Sequence, residues 1–560
     1  MNRIGVFVCE CGSNIKDKVD IAKVIAEVSK LKDVAVAEQY RLLCSQEGRS
    51  YLEERIRKEA LTHVVVAACS PREHLQTFMN VLEKAGLNPY MLQMVNIREQ
   101  CAWVTEKPDD ATEKATRMIK AAVGRVRFQS PLQSRQLSVN PDVLVLGGGV
   151  SGIETCLTLA LEGRKVYLVE REPVLGGVMR SLARTYPGMD DPLPRLEEKI
   201  EQLRANPFVE VLTEHRLERV LGFFGNFEVT VRPVKEGGEV RTVKVGSLVI
   251  ATGAQLFDPN QMRAYDRRGL SNVLTPLEFE DLFRSGSIKL KDGREPQSVG
   301  IVHCVGREVK GYCSGVCCMY GLKFSRYLRE KLPNVKITHL HWDLNIPGRG
   351  QQAFFEETLR SGIEMVRVSD VHLRKREEGT VITFLKESGA ETELRPDLVV
   401  LLTALEPRAD AGALARLATI DLDEAGFFAR TNPKLNPVAT TISGIYVVGT
   451  AQGPVDSVGS AVQAQAAAGQ ILASLVPGRK IEIEAKTSSI TESLCQGCKS
   501  CINVCPFGAI TFNEPRKVAV VNEAICRGCG NCAAACPSGA ASVKHFTYDQ
   551  IYQEIEEAVK

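Results

Sequence analysis

Eight cysteines near the C-terminus fall in two matching runs. Cys495-x2-Cys498-x2-Cys501-x3-Cys505-Pro506 is followed by Cys526-x2-Cys529-x2-Cys532-x3-Cys536-Pro537. This is the spacing that holds two [4Fe–4S] clusters. The x2 steps curl the backbone so that three thiolates converge on one face of a cube. The x3 step is expected to start a short helix that carries the fourth thiolate to the other cube. On that reading Cys495, Cys498, Cys501 and Cys536 hold one cluster, and Cys526, Cys529, Cys532 and Cys505 hold its neighbour. A zinc site needs only four ligands in CxxC pairs, which leaves half of these thiols without a role. Two adjacent clusters form a wire, so the rest of the chain should supply an electron donor or acceptor.

A second constellation can do so. Gly147-Gly-Gly149-Val150-Ser151-Gly152 follows the apolar run Val143–Leu146 and opens a helical pattern, Ile153–Leu161. Glycines there permit a tight turn and close approach of a pyrophosphate to the helix N-terminus. The next strand, Val166–Val169, ends at Glu170 and Arg171, and Glu170 can accept hydrogen bonds from ribose hydroxyls. Three further segments favour FAD over NAD. These are Glu172-Pro-Val-Leu-Gly-Gly177, the turn Ala251-Thr252-Gly253 after Ser247–Ile250, and Gly449-Thr450-Ala451 after Gly444–Val448. The small-residue stretch Ser457–Leu475 reads as a helix whose N-terminus faces the flavin. Together these segments resemble the thioredoxin-reductase-like flavoprotein fold, in which a second dinucleotide-like domain splits the FAD domain.

That second domain begins with the strand Ser298–Cys304 but continues Val305-Gly306-Arg307-Glu308, which is not a GxGxxG turn. Cysteines stand where phosphates would sit: Cys304, Cys313, Cys317 and Cys318, the last two opening a helix over Met319–Leu332. Three readings remain open for them: buried structural thiols, a redox dithiol near the flavin, or a third [4Fe–4S] cluster bound by all four. Lys323, about one turn beyond Cys318, is the candidate catalytic residue. A cation near the flavin stabilises its anionic reduced form; the alternative is a solvated surface lysine.

Five more cysteines stand near strand ends in the first 101 residues: Cys9, Cys11, Cys44, Cys69 and Cys101. In an open α/β sheet, ligands bind where strands end at their carboxyl side. These thiols either converge on another cluster or are small buried residues. Cys156, inside the FAD helix, reads as packing.

The elements that must position these groups follow from periodicity and turn residues. Residues 1–135 alternate strands (Ile4–Val8, Val34–Ala37, Val64–Ala68, Met91–Val95) with helices (Asp17–Ser29, Glu47–Ala60, Arg72–Ala85, Pro108–Val123), a doubly wound α/β domain. Phe128–Asn140 reads as a linker. Beyond it the expected divisions are 140–295 and 406–480 for the split FAD domain, 296–405 for the second domain, 484–546 for an α+β two-cluster ferredoxin domain, and 547–560 for a tail. The fold class is thus multidomain α/β. With 70 Lys+Arg against 68 Asp+Glu there is no bulk field to attract nucleic acid. No apolar run reaches the ~18 residues of a membrane span. The N-terminus MNRIGVFVCECG reads as a first strand and not a signal peptide, and so many unpaired-looking thiols fit a reducing cytoplasm.

Across nearly its whole length the sequence resembles the A-type subunits of the heterodisulfide reductases and their bacterial relatives. The carrying residues are Cys9-Glu-Cys11-Gly, Val66-Ala-Ala-Cys69-Ser-Pro, Asn96-Ile-Arg-Glu-Gln-Cys101-Ala-Trp103, the triple-glycine turn, Tyr312-Cys-Ser-Gly-Val-Cys-Cys-Met-Tyr320 and the double cluster run. The resemblance implies an FAD that splits electron pairs between a low-potential ferredoxin-type acceptor and a higher-potential one, by bifurcation or its reverse, confurcation. It implies cytoplasmic complexes with components like the B and C subunits, and with a hydrogenase, formate dehydrogenase or NADH-oxidising module. It also implies a homodimer within such a complex. Archaeal members carry a further ferredoxin-like insertion, whereas residues 178–247 here contain no cysteine. Two other functions fit the motifs: an NAD(P)H-dependent electron-input flavoprotein, and a wiring scaffold that does not split pairs.

Overall fold

The computed structural model describes residues 2–235, 237–376, 379–483, 485–523 and 525–560. Glu484, where the cluster domain was expected to open, lies outside them. The chain divides into two compact units, residues 1–137 with 482–560, and residues 138–481.

In the first unit a four-stranded parallel sheet runs in the order Val34–Tyr40, Ile4–Cys9, His63–Ala68, Leu92–Asn96. The two central strands, IGVFVC and HVVVAA, are buried at every position, as the largely apolar central strands of a doubly wound sheet are. Helices Ile21–Val28 and Pro108–Val126 cover one face, and Gln46–Lys58 and Pro71–Lys84 the other. The helix expected over Asp17–Ser29 is shorter. Asp20 accepts a hydrogen bond from the Lys23 backbone N–H, and so starts a new helix at Ile21. A separate turn, Ser13–Lys16, precedes it.

The cysteine-rich segment consists of two antiparallel strand pairs, Ser488–Ile490 with Ala541–Val543 and Ile510–Asn513 with Val518–Val521. Between their strands lie two short helices, Ser500–Asn503 and Asn531–Ala534. Residues 547–560 are chiefly a helix, Tyr548–Val559, laid along Pro108–Val126.

The two largest sheets of the second unit are joined by chain crossing twice between them. A five-stranded parallel sheet has the order Ile445–Val447, Ser247–Ile250, Val143–Leu146, Val166–Val169, Val209–Leu212. The helix Val150–Leu161 and the helix Ser457–Ser474 pack on its one face, and an antiparallel three-stranded sheet, 215–245, packs on the other. A seven-stranded sheet built between residues 273 and 403 interrupts it, so the five-stranded sheet is completed only when Ile445–Val447 returns. Within the linker expected over Phe128–Asn140, Arg135–Ser138 is extended as a strand. Among the described residues no helix is long and apolar enough to cross a membrane.

Candidate flavin and iron–sulfur sites

The glycine turn separates three physical roles. Gly147 takes φ +109°, and a Cβ there would overlap the Ala251 carbonyl. A Cβ on Gly152 would overlap the Gly147 carbonyl, so this glycine lets the helix Val150–Leu161 close on the turn. Gly149 faces open space on its Cβ side, directly before that helix, where a phosphate can approach backbone N–H groups. Glu170 is fixed at this turn: Gly148 N–H donates to its Oε2 at 2.6 Å and Glu172 N–H to its Oε1 at 2.9 Å. Gly177, at φ +53°, packs closely on Gly149, whose Cα lies 3.1 Å from where a Cβ on Gly177 would stand.

The other expected segments meet the same turn. Thr450 Oγ1 lies 3.6 Å from where a Cβ on Gly253 would stand, so the turns Ala251–Gly253 and Gly449–Ala451 adjoin. Gly449 N–H donates to Gln463 Oε1 at 2.8 Å, and a Cβ on Gly449 would overlap the Ser151 hydroxyl. The helix Ser457–Ser474 is capped by Asp456, which accepts from Gly459 N–H at 2.8 Å. Arg171 points outward, paired with Asp410 at 3.3 Å and Glu172 at 3.2 Å. The open cradle at Gly149 and the anchored Glu170 carboxylate together fit an FAD pyrophosphate and ribose.

Cys304, Cys313, Cys317 and Cys318 all line one cavity of about 230 Å3. Cys304, the last residue but one of the strand Ser298–Val305, lies in the left-handed region, φ +61°, which turns the chain toward the cavity. Cys317 and Cys318 begin the helix Cys317–Lys331. Backbone N–H groups are aimed at the sulfurs: Gly315 at Cys313 and Asn345 at Cys318, both at 3.4 Å. A hydrogen bond from Cys317 holds the Cys318 thiol down against burial, with His303 adding to the effect, and Cys317 is pushed up in turn. Donors converging on thiolate sulfur are what a metal cluster or a reactive thiolate needs.

Among the described residues of this domain, the strand Ser298–Val305 is followed by Gly306 and a short helix and not by a GxGxxG turn. A Cβ on Gly306 would run into the Phe257 ring, and the helix that follows, Arg307–Lys310, has only four residues. Behind the cavity lies a histidine chain with no sequence signature. The His303 and His339 rings share a hydrogen bond (Nε2···Nδ1, 2.8 Å), and the Ser325 hydroxyl bonds His339 Nε2 at 2.6 Å.

Lys323 is not a solvated surface lysine. It is 2% exposed, its ammonium is hydrogen-bonded to Glu280, and it donates to the Arg184 carbonyl at 2.9 Å. Glu280, which no sequence motif marks, also accepts from Tyr327 Oη at 3.0 Å and from Ala183 N–H at 2.9 Å. Burial lowers the lysine's affinity for its proton, and the Glu280 charge opposes that shift. Tyr186, in the same loop as Ala183 and Arg184, is pushed up by burial, with the charges of Asp456 and Cys317 adding to the rise. This loop therefore stands between the cap of the helix Ser457–Ser474 and the cysteine cavity.

In the N-terminal domain the structure brings together four of the five cysteines. Burial pushes Cys9 up, with the Cys11 and Cys44 thiols contributing. Burial likewise pushes Cys69 up to about 11, with Arg98 pulling down and Cys11 and Cys44 adding to the rise. Arg98 Nη1 approaches Cys11 Sγ at 3.4 Å. Cys101 stands apart: it donates to the Ala111 carbonyl at 3.1 Å inside the helical layer. Cys156 is fully buried in the FAD domain core.

The ferredoxin-type thiols cross over between the two runs. Cys505 lines one cavity with Cys526, Cys529 and Cys532, and Cys498 feels the charge of Cys536. Backbone N–H groups point at sulfur here too, from Ala509 to Cys505 and from Ser488 to Cys526 at 3.3 Å, and from Ala541 to Cys536 at 3.4 Å. The short helices carry the third cysteine of each run, Cys501 and Cys532, and end before the fourth. That corrects the expectation that the helix delivers the fourth thiolate. The turn that follows Val504 or Ala535 does so instead.

Residues 494–540 match the 4Fe-4S dicluster domain family and residues 141–275 the pyridine nucleotide-disulphide oxidoreductase family. The chain is 34% identical to an A-type iron-sulfur component of the CoB–CoM heterodisulfide reductase of Methanopyrus kandleri, over 91% of this chain and 90% of that one. It is 33% identical to the A-type component of the H(2):CoB-CoM heterodisulfide,ferredoxin reductase of Methanothermobacter thermautotrophicus, over 91% of each chain. Thioredoxin reductase of Lactococcus lactis covers 60% of this chain and 98% of its own, with 18% identity and a TM-score of 0.44. The flavin cradle, the crossed cysteine runs and this near-full-length similarity place the chain in the A-type family of heterodisulfide reductase subunits, which are oxidoreductases.

Proposed function

We propose that this chain is the FAD- and iron–sulfur-containing electron-splitting component of a heterodisulfide-reductase-like complex. Bound FAD supplies uptake of an electron pair and its release as single electrons, one to a low-potential ferredoxin-type acceptor and one to a higher-potential acceptor. Gly147–Gly149 and the helix they open bind the pyrophosphate, and Glu170 orients the ribose. Ala251–Gly253 and Gly449–Ala451 close the cradle beside them. Four [4Fe–4S] clusters serve it: two on the C-terminal cysteines, one on Cys304, Cys313, Cys317 and Cys318, and one on Cys9, Cys11, Cys44 and Cys69. Partners supply the rest of the path: components like the B and C subunits, ferredoxin, and a hydrogenase, formate dehydrogenase or NADH-oxidising module. Related chains carry names with such dependences, on H2 in one and on ferredoxin in another.

One observation carries this reading. The helix Cys317–Lys331 presents Cys317 and Cys318 to the cysteine cavity at its first turn, and Lys323 and Tyr327 to the Arg184 backbone farther along. Arg184 follows Gly177 closely in sequence, so one rigid element spans from the thiols to the flavin side. Lys323 holds a proton and a positive charge there, and Glu280 keeps it in place.

The experiment is an anaerobic redox titration of the purified chain, following flavin absorbance and cluster signals by electron paramagnetic resonance. Crossed one-electron flavin potentials, with the second electron the more reducing, support pair splitting. Normally ordered potentials would leave a wiring scaffold. Rapid flavin bleaching by NADH or NADPH alone would instead favour an NAD(P)H-input flavoprotein, a reading that the Phe257 ring against Gly306 opposes.

A further inference from the structure

Three of the chain's eight histidines stand buried on one face of two neighbouring strands, Ser298–Val305 and Lys336–His341. Side chains two positions apart share a sheet face. His303 therefore lies beside Ile301, and His339 and His341 beside Ile337, in a layer that is otherwise apolar. The His303 ring centroid is 5.1 Å from that of His339 and 6.2 Å from that of His341. The helix Cys317–Lys331 covers this row with Gly321 and Ser325, which follow Cys317 at steps of four on one helix face. A Cβ on Gly321 would stand 3.3 Å from His303 Cε1, and the Ser325 hydroxyl bonds His339 Nε2 at 2.6 Å. Buried polar atoms ordinarily find partners. His303 Nε2 is taken by His339 Nδ1 at 2.8 Å, whereas His303 Nδ1 is shut away from water and, among the described residues, closes no hydrogen bond. The His303 ring lies against the Cys318 sulfur, so Nδ1 is the nitrogen left to serve it.

We infer that His303 Nδ1–H donates a hydrogen bond to the Cys318 sulfur when that thiolate ligates a cluster, and so raises the cluster's reduction potential. This rests on the reading of Cys304, Cys313, Cys317 and Cys318 as the ligands of a third [4Fe–4S] cluster. The tautomer follows from the surroundings. A lone pair on Nδ1 would face negatively charged sulfur, whereas a proton there gives the sulfur a donor. With Nδ1 protonated in a neutral ring, His303 Nε2 accepts from His339 Nδ1–H, and His339 Nε2 accepts from the Ser325 hydroxyl. Burial keeps His339 neutral, as this run of donors requires. Each bond polarises the next, and the last ends on sulfur. Reduction places one more negative charge on the cluster and its sulfurs, so a donor to sulfur stabilises the reduced form over the oxidised one.

The test is an anaerobic redox titration of the full chain, with each one-electron cluster step followed by electron paramagnetic resonance. Cys304→Ser with Cys317→Ser should lose about four irons, and the step that disappears with them belongs to this cluster. His303→Leu removes the donor. It should move that step alone to lower potential, by about ten-fold in the reduction equilibrium or about 59 mV for one electron, with iron and flavin content unchanged. His303→Asn, whose amide nitrogen can stand where Nδ1 stood, should restore most of the shift, an outcome that lost packing would not give. If His303→Leu loses iron, His303→Gln is read in its place, because its amide reaches the Nε2 position and leaves the sulfur unserved. A cysteine variant that keeps all its iron overturns the cluster reading and this proposal with it. Loss of those irons, but with no step moved in His303→Leu or with an equal shift in His303→Asn, overturns the role of His303 alone.

Discussion

Lys323 and Glu280 form an ion pair whose side chains are 2% and 1% exposed, at the junction of the helix Cys317–Lys331 with the loop that follows Gly177. Two charges that deep are stable only together, because either one left alone is a desolvated charge. Tyr327 and two backbone groups complete the shell.

Lys323→Met alone is therefore expected to destabilise the flavin-binding unit by about 3–5 kcal/mol, read as a drop in its thermal unfolding midpoint under anaerobic conditions. Lys323→Met with Glu280→Leu should recover most of that loss, since an apolar pair of similar volume suits the site. If the double variant retains its stability but its flavin potentials match those of the native protein, Lys323 is a structural ion-pair partner and not a flavin-tuning one.

The two glycines of the turn should fail differently. A Cβ on Gly149 meets nothing, whereas one on Gly152 overlaps the Gly147 carbonyl. Gly149→Val should leave folding intact and cut FAD retention by ten-fold or more, about 1.4 kcal/mol of binding or greater. Gly152→Val should lower the unfolding midpoint whether or not FAD is present. Equal flavin loss with equal destabilisation in both variants would defeat this division of roles.

Crossed ligation makes a pairing prediction for the C-terminal cysteines. Cys505→Ser and Cys529→Ser strike the same cluster, so the double variant should lose about four irons. Cys505→Ser with Cys498→Ser strikes both and should lose about eight. Iron content per chain decides it, with far-ultraviolet circular dichroism as the control for folding. The opposite ranking would mean that each run closes on its own cube.

Two buried histidines set an acid limit. Burial holds both His63 and His339 below the usual imidazole value, against the Gln129 carbonyl at His63 and with the neighbouring histidines adding to the shift at His339. In the unfolded chain each takes up a proton near pH 6.5, while in the folded chain each stays neutral to lower pH. Below that pH the unfolded state binds more protons, so stability falls as the solution is acidified. The slope is up to about 1.4 kcal/mol per pH unit for each histidine. Anaerobic unfolding midpoints between pH 8 and pH 5.5 should show this loss, and His63→Gln should flatten it. An unchanged slope in that variant would assign the acid sensitivity elsewhere.

The sequence by itself determined whatever depends on local spacing. Cysteines at x2, x2 and x3 intervals can do little but wrap a cube, and glycines between a strand and a helix make a phosphate turn wherever the fold places them. The strands and helices around those motifs were legible for the same reason, because burial on two sheet faces enforces largely apolar runs such as His63–Ala68. Tertiary structure decided what depends on residues far apart in the chain. Glu280 lies 43 positions from Lys323, and no pattern connects them before the helix and loop meet. Cys101 looks like its four neighbours in spacing, yet the helix Pro108–Val126 takes its thiol at Ala111 while the others turn to the strand ends. The inward charges of Tyr548–Val559 find their partner in Arg125, more than four hundred residues earlier. Spacing fixes which groups can act together within a turn, whereas burial fixes which distant groups must, because a charge or a thiol shut away from water has to find its partner inside.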